Sequence, residues 1–441
     1  MFETIVALAT PPLKSALAIV RLSGDDCFFI VSKFFSKNLE NAQKNSILHG
    51  YIKDGDDLID EVVLLAYKGP NSFTGEDSVE IISHGSPLIF NKIIQTALKY
   101  GARLATNGEY SSRAFAHGKL NLMQAESIND LINAETEESK KLCLLALNGE
   151  TTKLINPLKK SLGDILSLIE VNIDYPEYLD IEEANSEKIV EICEKNIKYI
   201  QKLIKDGQKG NIIKDGINIA IVGKPNVGKS SILNALLNEN KAIVTDVKGT
   251  TRDVVEGKMN LNGVLINLFD TAGIRESQDK VEAIGIEKSL AKLKESDIIL
   301  CVFESNNFDD EDKEILKLVE NKNTIFVYNK KDLVDKKDSD KLYVSALNKD
   351  IEPLKEAILK KLGLSKENYD NPSIANVRDI GILQNIKEIL EHVLKDVELE
   401  TPIDLINSEL KEAYLKVLSL LGEDNDFDIA KEIFSRFCVG K

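Results

Sequence analysis

The chain has 441 residues, a formal charge of −16 and a pI near 5.0, so it has room for two or three domains with ample core and lacks a generally basic nucleic-acid coat. Five cysteines (Cys27, Cys143, Cys193, Cys301, Cys438) without a CxxC pair suggest neither a zinc site nor a disulfide framework, which points to a reducing compartment. The N-terminus carries no basic region or apolar h-region, and no run approaches the roughly 18 apolar residues of a membrane span, so a cytoplasmic protein with no membrane contact is expected.

Residues 1–118 read as mixed α/β structure. Thr4–Ala9 and Ala16–Leu22 are β-rich runs split by Pro11-Pro12, and Ile47–Ile52 and Leu58–Ala66 flank Asp54-Gly55, a hairpin signal. Val79–Ile82 predicts another strand, and Pro87–Tyr100 a helix stopped by Gly101. From about Leu120 the period becomes helical. Leu154, Leu158, Leu162, Ile165, Leu166 and Ile169 form one stripe, broken at Asp174-Tyr-Pro-Glu177. Ser186 is expected to cap a second stripe through Ile189, Ile192, Cys193, Ile197, Ile200 and Ile204. Gly207, Gly210 and Gly216 then bracket an expected short polar linker.

Ile217–Leu364 alternates strands and helices like a doubly wound α/β domain, with Asn262-Gly263 as the hairpin turn between Lys258–Leu261 and Val264–Phe269. Asp297–Phe303 and Thr324–Tyr328 are short apolar runs suited to a sheet centre. After Pro372 two helical stripes return. The first is Ile382, Ile386, Ile389, Val393 and Val397; the second is Leu405, Ile406, Leu410, Ala413, Leu418 and Leu421. Helix before and helix after predict an all-α helical domain with the α/β domain inserted in it. The expected parts are 1–118, 119–213, 214–370 and 371–441, the last completing the helical domain.

The chemistry concentrates in Gly223-Lys-Pro-Asn-Val-Gly-Lys-Ser-Ser231, between the strand Ile217–Val222 and the helical run from Ile232. It fits G-x-x-x-x-G-K-[ST], in which glycines let backbone N–H groups approach phosphate and the following helix adds its positive end. Asn226, Val227, Gly228, Lys229, Ser230 and Ser231 are the expected phosphate contacts, with Lys229 on the β- and γ-phosphates and Ser230 on Mg²⁺. The loop alone does not choose between ATP and GTP. An isolated Asn329-Lys-Lys-Asp332 is as often a charged turn, but here it follows an apolar strand in register with the loop. Asp332 can then accept from both N1–H and the amino group of guanine, a donor pair adenine lacks. Asn329, Lys330, Ser345 and Ala346 complete the base site.

Asp270-Thr271-Ala272-Gly273 ends the second hairpin strand, where Asp270 can hold Mg²⁺ through water and Gly273 can meet the γ-phosphate. In Gly249-Thr250-Thr251-Arg252-Asp253, Thr251 can complete the Mg²⁺ shell. Together these predict a GTPase using GTP and Mg²⁺. The nucleophile is less plain, because Ile274 stands where Ras-like enzymes place a glutamine. Arg252 and Arg275 are arginine-finger candidates, but surface ion pairing accounts for each at least as well, so neither is assigned as catalytic. Glu282 is a candidate for positioning water, although the residues alone favour a solvated helix carboxylate.

The set GKPNVGKSS, GTTRD, DTAGIR, VEAIGIE, NKKD and SA resembles the MnmE (TrmE) family of tRNA-modifying GTPases, within the TrmE-Era-EngA-like GTPases. So do TIVALATPP, IVRLSG, PNSFTGEDSVE, GEYSSRAFAHGKLNLMQAE and the terminal Phe437-Cys-Val-Gly-Lys441, so the resemblance covers essentially the whole chain. It implies an N-terminal α+β folate-binding and dimerisation domain, a helical domain, and an inserted P-loop GTPase domain. It also implies a homodimer working with the FAD-dependent MnmG in a heterotetramer or larger complex. The reaction implied is addition of a carboxymethylaminomethyl or aminomethyl-type group to C5 of the wobble uridine of certain tRNAs. Its one-carbon donor would be 5-formyl- or 5,10-methylene-tetrahydrofolate.

Carried onto this chain, the resemblance places K⁺ at Asn226, with Thr245, Val247 and Thr250, and extends the nucleotide contacts through Asp246, Lys248 and Gly249. A monovalent cation there supplies the electrostatic term of an arginine finger. Glu282 falls on the family's catalytic glutamate. Arg21, Glu80, Lys119 and Lys441 fall on folate-binding positions, and Cys438 is a candidate for one-carbon chemistry, with a buried terminal thiol the alternative. The alternative function is a GTPase switch in ribosome assembly, against which the acidic Glu423-Asp-Asn-Asp426 argues. A folate-dependent transferase acting without the flavoprotein, with the GTPase only regulatory, is a third reading.

Overall fold

A computed structural model describes residues 3–40, 44–174, 185–239, 257–270, 292–306, 308–334, 338–423, 433–435, 437 and 440. The chain divides into two compact units, 1–129 with 414–441, and 130–413.

The first unit is built on a six-stranded sheet of β1 (Ile5–Leu8), β2 (Leu17–Ser23), β3 (Ser46–Asp54), β4 (Asp57–Tyr67), β5 (Ser78–His84) and β6 (Arg103–Leu104), in the order β3-β4-β5-β2-β1-β6. All neighbours run antiparallel except β1 and β6. The period-2 runs explain this: Val20, Leu22, Leu64, Val79 and Ile81 face one buried core beside Phe90, Ile93 and Ala97 of the helix α2 (Pro87–Lys99). A short helix α1 (Cys27–Ser32) packs in the same core. The β3–β4 hairpin turns at the predicted glycine, Gly55, at φ 65°. Helix α3 (Glu109–Ala116) follows, then α4 (Leu122–Asn133). Near the C-terminus, Ile433, Phe434 and Phe437 pack on Leu122 and Ala125 and so return to this unit.

The second unit carries helices α5 (Glu137–Leu147), α6 (Glu150–Asp174) and α7 (Ser186–Asp215), and then a second sheet. Its strands β7 (Ile217–Val222), β8 (Gly257–Leu261), β9 (Val264–Asp270), β10 (Ile298–Glu304), β11 (Thr324–Asn329) and β12 (Leu342–Tyr343) take the order β12-β11-β10-β7-β9-β8. Only β8 and β9 are antiparallel, joined at Asn262 (φ 49°) and Gly263 (φ 88°) as the Asn-Gly turn predicts. Helices α8 (Lys229–Glu239), α9 (Asp310–Leu318) and α10 (Glu352–Leu362) accompany this sheet, while α11 (Lys366–Asp370) packs on α5 and α7. Then α12 (Val377–Glu398) and α13 (Ile403–Leu421) follow. The strand order reverses at β7, whose parallel neighbours are β9 on one side and β10 on the other. The carboxyl end of β7 is therefore a switch point, where such sheets bind ligands.

Five expectations change in the helices. The expected linker from Gly207 is helix: α7 continues through Gly207 and Gly210 to Asp215, and only Gly216 breaks it. Both glycines are buried with no room for a side chain: a Cβ on Gly207 would collide with Ile374 O, and one on Gly210 with Ser373 Oγ. They allow close approach of the chain entering α12. The cap of α7 is Asn185, whose side chain accepts from Lys188 N at 3.0 Å, rather than Ser186. In α12 the buried line is Ile380, Leu383, Ile386, Leu390 and Val393, which leaves Ile382, Ile389 and Val397 on its flanks. Leu154 gives way similarly to Ile155, while Leu158, Leu162, Ile165, Leu166 and Ile169 are buried as predicted. In α13, Leu405 is exposed and Val417 is buried instead. Cys27, Cys143, Cys193 and Cys301 are buried free thiols, and burial pushes Cys143 up to about 11 and Cys193 and Cys301 to about 12. Among the described residues, no helix is long and apolar enough to cross a membrane.

Candidate nucleotide and folate sites

The strand β7 delivers Gly223 at the sheet's carboxyl edge, and α8 starts at Lys229. Between them the backbone takes left-handed turns at Asn226 (φ 65°) and Gly228 (φ 96°). Gly228 has to be glycine on a second ground, since a Cβ there would strike Asn329 Nδ2. Val227 is buried and pins the loop into the core. Lys229 Nζ donates to the carbonyls of Gly223 at 2.9 Å and Lys224 at 3.1 Å, so the lysine is folded over its own loop. Burial lowers its pKa, which favours an anionic partner that restores the charged form.

Ser230 Oγ donates to Asp270 Oδ2 at 3.1 Å, bringing together two of the residues expected around Mg²⁺. Asp270 Oδ1 is buried and has no hydrogen-bond partner among the described residues. A carboxylate oxygen left so, beside a hydroxyl and a phosphate loop, is a donor set suited to a hard divalent cation and its water.

The base side is assembled from the ends of β11 and β12. Asn329 is 3 % exposed. Its Nδ2 donates to Val227 O at 2.9 Å, and its Oδ1 accepts from Ala346 N at 3.1 Å. Ser345 Oγ donates to Asp332 Oδ1 at 2.5 Å, and this bond is the main reason the Asp332 carboxyl sits below its ordinary range. Asp332 is thus held ionised and oriented, as an acceptor pair for guanine needs. Lys330, at φ 63°, pairs through Nζ with Glu304 Oε1 at 2.8 Å. Glu304 was not foreseen from sequence; its position at the end of β10, opposite Asn329 in the parallel register, is the signal that could have found it.

The structure therefore gathers Val227, Gly228, Lys229, Ser230, Asp270, Asn329, Lys330, Asp332, Ser345 and Ala346 around one sheet edge, with Asn226 exposed on the loop and Ser231 on α8. Thr245, Asp246, Val247, Lys248, Gly249, Thr250, Thr251, Arg252, Thr271, Ala272, Gly273, Arg275 and Glu282 lie outside the described residues, as do Cys438 and Lys441.

In the first unit, Arg21 and Glu80 are register partners across β2 and β5. Arg21 Nε lies 2.9 Å and its terminal nitrogen 2.7 Å from Glu80 Oε1, and a second terminal nitrogen donates to Gly440 O at 3.1 Å. The pair lines a cavity of about 210 Å³ with Tyr67, Phe73, Thr74 and Ser78. Lys119 Nζ bonds to Pro70 O, at the foot of the loop that carries Phe73 and Thr74. That loop is fastened by a buried ion pair. Arg113 donates to Glu76 Oε2 at 3.0 Å and to Glu109 Oε1 at 2.9 Å, and Ser23 Oγ to Glu76 Oε2 at 2.7 Å. The cavity thus has a cation, a carboxylate and an aromatic wall on a rigid sheet, the means to hold a flat polar heterocycle with an acidic tail.

Residues 4–119 match the family described as "GTP-binding protein TrmE N-terminus", and residues 122–438 match "MnmE helical domain". Among curated proteins, the chain is 42 % identical over its whole length to "tRNA modification GTPase MnmE" of Malacoplasma penetrans, covering all of that protein. It is 40 % identical to the protein so named in Ligilactobacillus salivarius, covering all of this chain and 98 % of that one. The one from Thermotoga petrophila is 39 % identical, with both chains fully covered. Of solved structures, Era from Aquifex aeolicus bound to GDP.AlF4- is 26 % identical with a TM-score of 0.27, covering 39 % of this chain and 66 % of that one.

Proposed function

The chain belongs to the MnmE family and is a GTPase acting in tRNA modification, and from that premise we propose the following division of labour. GTP sits with its phosphates in the loop 226–231 and its base on Asp332. Ser230, Thr251 and Asp270 hold Mg²⁺, the last through water. Mg²⁺ there neutralises charge on the β- and γ-phosphates. Asn226, Thr245, Val247 and Thr250 hold K⁺, which supplies positive charge where this chain has no assigned arginine finger. Glu282 orients the attacking water. Asp246, Val247, Lys248 and Gly249 line the nucleotide, and Thr271, Ala272 and Gly273 close on the γ-phosphate.

The modification half of the work belongs to the N-terminal part, 1–118. Arg21, Glu80, Lys119 and Lys441 hold a tetrahydrofolate carrying a 5-formyl or 5,10-methylene unit. That unit supplies the one carbon joined directly to C5 of the wobble uridine, and an amine co-substrate supplies the nitrogen and any remaining atoms of the aminomethyl or carboxymethylaminomethyl-type group. We assign 119–213 and 371–441 to a helical domain and 214–370 to the inserted GTPase domain. The working assembly is a cytoplasmic homodimer joined to the FAD-dependent MnmG, with Cys438 close to the one-carbon chemistry.

The observation that supports the folate reading most is the Arg21–Glu80 pair beside a cavity of about 210 Å³ with Tyr67 and Phe73. The family matches over both 4–119 and 122–438 favour tRNA modification over a ribosome-assembly switch. Calorimetry of the full chain with 5-formyltetrahydrofolate tests the folate half. Saturable binding, lost in Glu80→Gln, is expected; no binding by the folded wild-type chain removes folate from the proposal. Nucleoside mass spectrometry of tRNA from a strain lacking the gene tests the product, with loss of the C5 substituent at the wobble uridine expected.

A further inference from the structure

The phosphate-loop pattern leaves position 224 open, and Lys224 occupies it. A lysine beside bound phosphates invites the reading of a second cationic ligand. Its surroundings say otherwise. Lys224 is 8 % exposed, and its Nζ donates to Asp309 Oδ2 at 2.7 Å and to Asp312 Oδ2 at 2.9 Å. Both acids belong to the start of α9. Asp309 is its N-cap and accepts from Asp312 N at 3.3 Å, while Asp312 Oδ2 accepts from Asp309 N at 3.1 Å. The helix cap and the lysine anchor are therefore one cluster.

Asp312 is fully buried, and its Oδ1 has no hydrogen-bond partner among the described residues. Burying a carboxylate is costly unless a cation lies beside it, and the Lys224 ammonium at 2.9 Å is that cation. The charge balance follows: one ammonium between two carboxylates leaves the cluster net negative, with no surplus positive charge for phosphate. At the same time the carbonyl of Lys224 accepts from Lys229 Nζ, the lysine expected on the β- and γ-phosphates. Residue 224 thus grips α9 with its side chain and steadies Lys229 with its backbone.

We propose that Lys224, Asp309 and Asp312 form a positioning clamp that fixes the first limb of the phosphate loop on α9 before nucleotide binds. Lys224 is not a phosphate ligand. A loop already held in shape loses less freedom on binding, so the clamp acts on affinity for any nucleotide with a β-phosphate. It does not act on the charge that develops during hydrolysis.

The test is GTP and GDP affinity of the full-length chain by fluorescent-nucleotide titration, with steady-state kcat and KM. Thermal unfolding of each variant sets a working temperature well below its transition. Lys224→Gln and Asp312→Asn are each expected to weaken both nucleotides about tenfold, the scale of one charge-assisted hydrogen bond. The double variant should lose little more than the worse single one. Lys224→Arg should recover to within about threefold, and kcat at saturating GTP should hold within about threefold throughout. The clamp is overturned if Lys224→Gln lowers kcat about a hundredfold at unchanged KM while Asp312→Asn changes neither. It is equally overturned if the two effects add fully, or if neither variant alters affinity. Should Lys224→Gln not fold, Asp309→Asn and Asp312→Asn carry the same affinity comparison.

Discussion

Asn329 Nδ2 donates to the carbonyl of Val227 at 2.9 Å while its Oδ1 accepts from the N–H of Ala346 at 3.1 Å. One buried amide thus ties the phosphate loop to the turn that flanks the base. Asn329→Ala would leave both partners unpaired, at about 1–3 kcal/mol for each buried group. GTP affinity should fall on the order of tenfold to a hundredfold, read by nucleotide titration. Asn329→Asp keeps the acceptor but loses the donor, so it should fall with it rather than with wild type.

Base choice rests on Asp332, held by Ser345 Oγ at 2.5 Å. An amide in place of the carboxylate offers guanine one acceptor and one mismatched donor. Asp332→Asn should lose GTP affinity by on the order of a hundredfold or more and gain affinity for xanthosine triphosphate, whose C2 carbonyl accepts that donor. Competition between the two nucleotides measures the switch; unchanged preference for GTP would remove Asp332 from base reading.

The cation proposal predicts that GTP turnover is markedly faster in KCl than in NaCl at equal ionic strength. Equal, slow rates in both would sink it. In KCl, Glu282→Ala should abolish turnover and preserve GTP binding, which separates orientation of water from nucleotide affinity.

Glu109 gives a pH prediction. Burial alone would raise its carboxyl, but bonds from Arg103, Thr106 N–H and Arg113 draw it down to about 2. A depressed folded-state pKa contributes stability above the unfolded value and loses it as pH falls through the folded one. Glu109→Gln should therefore destabilise the first unit near neutral pH, with the difference from wild type shrinking between about pH 4.5 and 2. Denaturant unfolding at a series of pH values checks it.

The parts legible in the sequence were those fixed by local chemistry. Asn262-Gly263 needs positive φ at both turn residues, and it turns β8 into β9 as its composition requires. The loop 223–231 reads directly because phosphate binding dictates glycines at set spacings. Where tertiary contact decides, the reading drifted. Gly207 and Gly210 look like linker residues along the chain, yet they are helical because Ser373 and Ile374 come too close for a side chain. The stripe of α12 turned partway around the helix, since Leu383 and Leu390 fit the same period as Ile382 and Ile389. The Lys224–Asp312 pair, 88 residues apart, carries no local signal at all.

The close approach of Gly210 to Ser373 has a consequence for how the chain reaches this structure. Asn211 Nδ2 also reaches Ala375 O at 3.0 Å, so the point where the chain enters the second sheet and the point where it returns are neighbours. Joining α7 to α12 across an unstructured intervening chain would carry the full entropy of closing a long loop. A nucleotide-binding segment that has already folded brings its own ends together, and the closure left is a short gap. Nucleotide present during synthesis should then speed the pairing of α7 with α12, making GTP a ligand of assembly as well as a substrate.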